Sequence, residues 1–319
     1  MALSQTFTPD PGALRTNAMV FFSPIPDKIP GAEKDSPELI NLGKKLYFEN
    51  RLSKNNSQSC NTCHAVDGGR AGMDNQPTSP GAFGKRGQRN SPTTLNATFH
   101  IAQFWDGRAE NLEQQAKGPI LNPVEMAMSS EPEVVERLKA DANYPKQFKA
   151  AFGGETDPIN YENVAKAIAA FERTLVTHDR FDDFLKGRDN ALTAAELKGL
   201  NTFIKTGCTT CHNGPLVGGN SYRKIGVVKA YSNQTDIGRA SITKEDDDRF
   251  VFKVPSLRNV AATYPYFHDG KASSLPEAVR MMADMQLATQ LTPEQETDLV
   301  TFLKALTGKS LQPATGAPM

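Results

Sequence analysis

The four cysteines of the chain fall into two copies of one short motif, Cys-x-x-Cys-His. The first copy is CNTCH at residues 60–64 and the second is CTTCH at residues 208–212. This spacing is typical of c-type haem, in which two thiols bond to the vinyl groups of one haem and the adjoining imidazole binds the iron. The sequence therefore predicts two covalent haem c groups, held by Cys60, Cys63 and His64 and by Cys208, Cys211 and His212.

Three other kinds of site could also use four cysteines. Two redox-active dithiols would not need a histidine directly after both motifs. A Cys₄ zinc site would have to join pairs that lie 148 residues apart, whereas zinc ribbons keep their pairs closer. Structural disulfides do not favour so short a loop twice. The histidine after both pairs favours haem over all three alternatives.

Length and charge narrow the class of protein. The chain has 319 residues, more than one average domain. Lys and Arg number 36, as do Asp and Glu, so a net charge of zero offers no basic footprint for nucleic acid. No apolar run approaches the roughly 20 residues that span a bilayer. We expect a soluble protein of two domains, without nucleic acid and without a membrane span.

The cellular compartment follows from the haem. Attachment of haem c takes place outside the cytoplasm, yet the start of the chain, MALSQT, lacks the charged and apolar regions of an export signal. We interpret the sequence as a mature periplasmic form from which the signal has been removed. The tail from Gln312 is expected to be frayed.

An internal repeat follows each haem motif. Residues 92–112 (PTTLNATFHIAQFWDGRAENL) align without gaps with residues 255–275 (PSLRNVAATYPYFHDGKASSL), and seven positions are identical. This similarity indicates that two homologous haem domains have diverged. In this alignment the single tryptophan, Trp105, stands opposite His268.

The connecting segments predict helices. Ser36, Thr193 and Thr292 are placed as N-caps, and apolar residues recur at helical spacing between Tyr161 and Leu175. The Gly/Pro-rich stretches 67–92 and 213–260 show no sustained β alternation. We expect a mostly α fold of two cytochrome-c-like haem domains, related by internal duplication, with long loops. The predicted domains are residues 21–176 and 177–311.

Several longer motifs resemble the bacterial dihaem cytochrome c peroxidases. The resemblance extends from about Phe21 to Gly308. It is carried by SCNTCH (59–64), RNSPT (89–93), QFWDGRAENLEQQA (103–116), NPVEM (122–126), GCTTCH (207–212), PYFHDG (265–270) and EAVRMMADMQL (277–287). The resemblance implies a low-potential peroxidatic haem in the N-terminal domain and a high-potential electron-transfer haem in the C-terminal domain.

The resemblance also implies a role for each site residue. Glu125 would be the acid and base that moves the proton of hydrogen peroxide, with Gln115 as a polar neighbour that orients the peroxide. Met282 would be the second axial ligand of the C-terminal haem, because His/Met ligation raises the reduction potential. Trp105 would belong to the electron path. A calcium ion would be held by Asn90, Thr263 and Pro265, since oxygen ligands suit a hard cation.

One loop departs from the family pattern. Many members carry a histidine that binds the peroxidatic iron in the oxidised resting state, and Ala82 stands at the matching position. The remaining histidines, His100, His178 and His268, lie outside this loop. Either the first haem is never blocked, or another group blocks it, or the position was altered by engineering; the sequence leaves the choice open.

The leading function is therefore reduction of hydrogen peroxide to water, with two electrons from a small reduced cytochrome c or cupredoxin. One alternative is a dihaem electron carrier, in which both irons would be coordinated on both faces. The other is a relative of the dihaem enzyme that oxidises a protein substrate in methylamine dehydrogenase maturation, which has Tyr in place of Met at the distal position. The sequence leaves a homodimer open.

Overall fold

The computed structural model describes residues 9–311, so the expectations for the first residues and for the tail from Gln312 lie outside the described part. The helices are α1 Pro11–Ala18, α2 Pro37–Tyr47, α3 Cys60–Cys63, α4 Leu112–Leu121, α5 Glu131–Lys139, α6 Tyr144–Ala151, α7 Tyr161–Arg173, α8 Arg180–Leu185, α9 Ala194–Lys205, α10 Ala240–Thr243, α11 Leu275–Leu287 and α12 Pro293–Ala305. Within residues 9–311, no helix has the length and apolar character needed to cross a membrane.

The predicted N-caps are confirmed. The side chain of Ser36 accepts a hydrogen bond from the backbone N–H of Leu39, which begins α2. Thr193 and Thr292 form capping boxes at the start of α9 and α12. In each case a side-chain oxygen bonds a backbone N–H that the first turn leaves unpaired. Local sequence therefore sets where these three helices begin.

The described chain divides into two compact units, and each contains one haem motif. The N-terminal unit comprises Lys28–Val176 and the short segment Phe267–Lys271. The C-terminal unit comprises the described chain up to Asp27, Thr177–Tyr266 and the described residues from Ala272. The predicted ranges, 21–176 and 177–311, differ from these units at residues 21–27 and 267–271, which each pack with the other unit.

The N-terminal unit is built on the crossing of α2 and α7. Gly43 lies at the crossing, where an added Cβ would be 1.8 Å from the carbonyl oxygen of Ala167. Only glycine allows the two backbones this approach. The apolar faces around it, which include Leu42, Leu46 and Ile168, are buried in one continuous core.

The C-terminal unit repeats this arrangement with α9 and α12. An added Cβ at Gly199 would lie 2.1 Å from the carbonyl oxygen of Asp298. Beside the crossing, four buried phenylalanine rings pack against one another: Phe22, Phe181, Phe203 and Phe302. The stretch 213–260 also contains two antiparallel strands that the sequence pattern did not predict, β1 Tyr222–Lys224 and β2 Val251–Lys253.

The two repeated stretches have the same local backbone. Asn96 and Asn259 are left-handed, with φ of 61° and 63°, and each precedes a 3₁₀ turn. The backbone N–H of Asn96 donates to Leu175 and that of Asn259 to Leu306, both at 2.8 Å, just beyond the last helix of the unit. Each stretch also contains one isolated antiparallel β-bridge, which pairs Gln103 with Ala109 in the first and Tyr266 with Ala272 in the second.

Candidate active site

The first haem motif lies on α3 and the residue that follows it. Cys60 and Cys63 are the ends of this one-turn helix, and His64 is its C-cap. Nδ1 of His64 lies 2.9 Å from the carbonyl oxygen of Pro92, so this nitrogen carries the proton and donates it. The hydroxyl of Tyr47 donates to the carbonyl of His64 at 2.5 Å. The Pro92 contact orients the ring and leaves Nε2 for a metal, while the Tyr47 contact holds the backbone of His64.

The second motif has the same design. Cys208 begins a 3₁₀ turn, and Nδ1 of His212 lies 3.3 Å from the carbonyl oxygen of Val217. Burial lowers the pKa of His212 to about 4, so the imidazole is neutral and able to bind iron.

The cysteines fit covalent haem better than the alternatives. None of the four forms a disulfide. Among the described residues, no group of three His, Cys, Asp or Glu is arranged to hold a metal ion. Burial raises the pKa of Cys60 strongly and that of Cys63 to about 11, which disfavours the thiolate that a redox dithiol needs. In each unit, paired thiols and an oriented imidazole therefore suit one haem.

A cavity of about 130 Å³, partly open to solvent, adjoins His64 in the N-terminal unit. The cavity brings together five residues that the sequence or the resemblance singled out: His64, Asn90, Trp105, Gln115 and Glu125. They come from three separate stretches of chain and meet only in the folded unit.

Glu125 lies in a tight turn directly after α4. The helix ends because Asn122 precedes Pro123 and is held in an extended conformation, with ψ of 120°. The backbone N–H of Glu125 then donates to the carbonyl of Asn122 at 3.0 Å. Burial raises the pKa of Glu125, while the guanidinium of Arg108 and a hydrogen bond from Asn122 act against the rise. The site thus holds a half-buried carboxyl group whose pKa lies above its ordinary value.

The loop of Ala82, residues 78–86, docks on this turn. The backbone N–H of Ala82 donates to the carbonyl of Glu125 at 2.7 Å, and the side chain of Asn55 donates to the carbonyl of Ala82 at 2.5 Å. An added Cβ at Gly81 would lie 1.7 Å from the carbonyl oxygen of Val124. The position where the family histidine was expected is therefore joined through the backbone to the candidate catalytic residue.

Trp105 is tied to the segment Phe267–Lys271. Its indole N–H donates to the carbonyl of Asn90 at 2.8 Å, and the N–H of Asn90 donates to the carbonyl of His268 at 2.7 Å. The rings of Trp105 and His268 lie edge to face with centroids 6.4 Å apart. The residues that the repeat placed opposite each other are therefore in contact within one unit.

Three residues of the site were missed by sequence reasoning: Asn122, Arg108 and Glu172. Arg108 and Glu172 line the cavity, and Asn122 donates to Glu125. Burial raises the pKa of Glu172 to about 8. Asn122 and Arg108 stand in the quoted motifs NPVEM and WDGR, so a signal was present for these two, whereas Glu172 is an ordinary member of an amphipathic helix.

The remaining predicted ligands are divided between the two units. Met282 lies half-buried on α11, in the same unit as His212. Asn90 belongs to the N-terminal unit and Thr263 and Pro265 to the C-terminal unit. The roles of these four residues stay predictions.

Comparisons with known proteins place the chain in a family. The sequence profile of the di-haem cytochrome c peroxidases matches residues 37–190. The chain is 45% identical to a cytochrome c551 peroxidase of Pseudomonas aeruginosa, over 96% of this chain and 89% of that protein. A cytochrome c551 peroxidase of Nitrosomonas europaea is also 45% identical, over 93% of this chain and 88% of that protein.

A solved structure agrees with the sequence matches. The fold is similar to that of a MauG-like protein associated with microbial copper homeostasis, with a TM-score of 0.77 and 29% identity. The similarity covers 93% of this chain and 96% of that one. The class is thus that of mostly helical c-type dihaem proteins. The chain belongs to the di-haem cytochrome c peroxidase family, as the sequence motifs predicted.

Proposed function

We propose that the protein reduces hydrogen peroxide to water with two electrons from a small reduced cytochrome c or cupredoxin. The observation that carries this proposal is the cavity in which an oriented His64 and the carboxyl group of Glu125 meet. The membership of the chain in a family of peroxidases supports it, since the curated relatives at 45% identity are named for that activity.

The chain's own residues would hold and protonate the substrate. The haem, when bound through Cys60, Cys63 and His64, supplies the iron that binds peroxide and delivers electrons. Glu125 takes a proton from the near oxygen of peroxide and returns it to the leaving oxygen, so its carboxyl group ends in its starting state. The amide of Gln115 orients the peroxide, and the guanidinium of Arg108 supplies positive charge beside Glu125.

The C-terminal unit would store one electron. His212 and Met282 would hold the second haem, and the thioether ligand would favour its reduced state. Trp105, in contact with His268, would belong to the electron path between the two haems. The matching backbone of the two repeated stretches supports the view that both haem domains descend from one by duplication.

Three further assignments belong to the same proposal. Asn90, Thr263 and Pro265 would hold a calcium ion, which the buried amide of Asn90 supports. The protein would be periplasmic, which the expected attachment of haem c supports. The active form would be a monomer or a homodimer.

A protein-oxidising activity is the second candidate, and the likeness to a MauG-like structure favours it. In the peroxidase the electrons for peroxide come from a small redox protein, whereas in the second candidate they come from the protein substrate that is oxidised. The test is to mix hydrogen peroxide with the reduced holoprotein and a stoichiometric excess of reduced cytochrome c or azurin-type cupredoxin. Oxidation of two donor molecules per peroxide supports the peroxidase. If the holoprotein reduces only the one equivalent of peroxide that its own two haem electrons cover and oxidises no donor, the second candidate is favoured. A denatured chain with fewer than two covalent haems would refute both.

A further inference from the structure

One oxygen of the Glu125 carboxyl group is held by a neighbour in its own turn. Nδ2 of Asn122 donates a hydrogen bond of 2.7 Å to Oε1 of Glu125. Oδ1 of the same amide accepts a hydrogen bond of 3.0 Å from the backbone N–H of Val124. Because a backbone N–H needs an acceptor and a carboxylate needs a donor, the two neighbours together fix which way the amide faces.

The backbone around Glu125 is fixed as well. The carbonyl of Asn122 accepts from the N–H groups of Glu125 and Ala127, at 3.0 and 2.9 Å. On the far side, the carbonyl of Glu125 accepts from the N–H of Ala82. Only the side-chain torsions of Glu125 are left to be set, and the Asn122 amide is the group that bonds its carboxyl oxygen.

We propose that Asn122 is a positioning residue that occupies Oε1 of Glu125 and thereby reserves Oε2 for proton transfer to and from peroxide. This inference rests on the proposed function, since it requires Glu125 to be the group that moves the proton. An oxygen that already accepts an N–H is the less favourable place for a proton. The proton from peroxide therefore goes to Oε2 and leaves from Oε2, and the Asn122 hydrogen bond persists through both steps.

The charges around the carboxyl group set the direction of the pH effect. Arg108 and Asn122 stabilise the ionised form of Glu125, and burial opposes it. The other titratable groups that face the carboxyl or line the cavity are Cys63, which is a thioether in the holoprotein, and His64, Arg89 and Glu172. Burial raises the pKa of Glu172 to about 8, so the infrared titration of Glu125 is read as the difference from Glu125→Gln. Loss of the Asn122 donor raises the pKa of Glu125, so the base form is lost at a higher pH than in the wild type.

Two substitutions of Asn122 test the proposal in the holoenzyme. Asn122→Ala removes both contacts of the amide, and kcat/KM for peroxide is expected to fall roughly 10- to 100-fold, with its acid limb moved to higher pH. Asn122→Asp keeps an acceptor for Val124. The introduced carboxyl can donate to Oε1 only while the pair of carboxyls shares a proton. At low pH, Asn122→Asp is therefore expected to have a higher kcat/KM than Asn122→Ala. At alkaline pH, where the shared proton is lost, kcat/KM of Asn122→Asp is expected to fall.

A second readout does not depend on turnover. The infrared C=O stretch of protonated Glu125, identified by its loss in Glu125→Gln, reports the pKa of the carboxyl group directly, and Asn122→Ala is expected to raise it. The matched control is Asn111→Asp, which introduces the same charge at the N-cap of α4 and keeps the capping acceptor for Gln114. Neither the pH profile nor the infrared titration should change in this control.

The outcomes distinguish the role of Glu125 from the positioning role of Asn122. If Glu125→Gln retains turnover, the role of Glu125 and the positioning role are both overturned. If Glu125→Gln is inactive while Asn122→Ala keeps the wild-type rate, pH profile and infrared titration, only the positioning role is overturned. If Asn122→Asp matches the wild type at every pH, Asn122 matters through its contact with Val124 alone, and the proposal is wrong.

Discussion

At the scale of single residues, the proposed chemistry depends on the carboxyl group of Glu125. Glu125→Gln preserves the size of the side chain and can still accept a hydrogen bond, but it cannot carry the proton. We expect turnover to fall by about 10²–10⁴-fold. Visible spectra of both haems should stay unchanged, because the substitution removes neither a thiol nor an axial ligand. Steady-state peroxidase assays beside these spectra make the test, and near-wild-type turnover would contradict the role of Glu125.

Met282 is the residue on which storage of the first electron would depend. Met282→His replaces the thioether by a stronger donor to ferric iron and is expected to lower the potential of the C-terminal haem. A mild reductant should then fail to half-reduce the protein, and peroxidase activity should drop although the cavity is unaltered. Redox titration monitors both effects.

The neighbouring methionines provide the controls for that substitution. Met281→His and Met285→His place the same residue on the same helix, where Met281 is half-buried and Met285 is 4% exposed. Neither should change the potential of the C-terminal haem. A lowered potential in either one, with an unchanged potential in Met282→His, would move the axial ligand to that methionine.

At the scale of elements, the loop of residues 78–86 is held by its backbone against the turn that carries Glu125. Because Ala82 uses its N–H and carbonyl for these contacts, a new side chain can be introduced there without removing them. With alanine in place, we expect a first haem that is high-spin in the oxidised protein and that binds cyanide without prior reduction. Ala82→His should convert it to low-spin and impose a lag until reductant is added, since a bound imidazole must then be released.

Phe83→His is the matched control for the loop. It introduces the same imidazole one position further on, where the side chain is 59% exposed. Electron paramagnetic resonance of the oxidised proteins should show a low-spin first haem for Ala82→His alone. A low-spin signal from the first haem of the unsubstituted protein would mean that another side chain binds the iron.

The sequence predicts the helix starts and the haem motifs, but it does not predict the contacts between distant segments. Helix starts at Ser36, Thr193 and Thr292 depend on residues three apart, so they can be read locally and were confirmed. The haem motifs carry their chemistry in five consecutive residues. The contact of Ala82 with Glu125 joins residues 43 positions apart through backbone atoms, which leave no mark on residue type. For the same reason the short strands β1 and β2 were not predicted.

At the scale of the whole molecule, stability of the C-terminal unit depends on one buried cation. Arg258 is 1% exposed, and its Nη1 donates to both carboxylate oxygens of Asp179 at 2.6 Å. Its Nη2 forms an ion pair with Asp182 at 2.9 Å, and Nε donates to the carbonyl of Pro215, just after the second haem motif. Arg258→Met removes the guanidinium that pairs with both buried carboxylates.

We expect Arg258→Met to lower the free energy of unfolding by about 3–5 kcal/mol. The surface pair of Lys309 with Asp183 provides the comparison, because the Lys309 side chain is 48% exposed. Lys309→Met should cost less than about 1 kcal/mol. Urea unfolding followed by circular dichroism measures both. Equal losses in the two variants would show that burial of the Arg258 network contributes nothing to stability.

The calcium assignment is tested on the intact protein too. If Asn90, Thr263 and Pro265 hold a calcium ion, a chelator should lower the melting temperature of the holoprotein, because the folded state binds the ion and the unfolded state does not. Added Ca²⁺ should restore it, and Asn90→Ala should remove the response. A melting temperature that is insensitive to the chelator, in protein shown to be free of calcium by metal analysis, would contradict the assignment.

The discontinuous units also govern the order in which the chain can fold as it is synthesised. Residues 9–27 leave the ribosome early but pack with a unit whose last described part, residues 272–311, is made at the end. The N-terminal unit has nearly all of its residues once Val176 is made and lacks only Phe267–Lys271. Neither unit is therefore complete when half the chain has been made. A gene cut after codon 176 would give two fragments, each carrying a piece of the other's unit and missing a piece of its own.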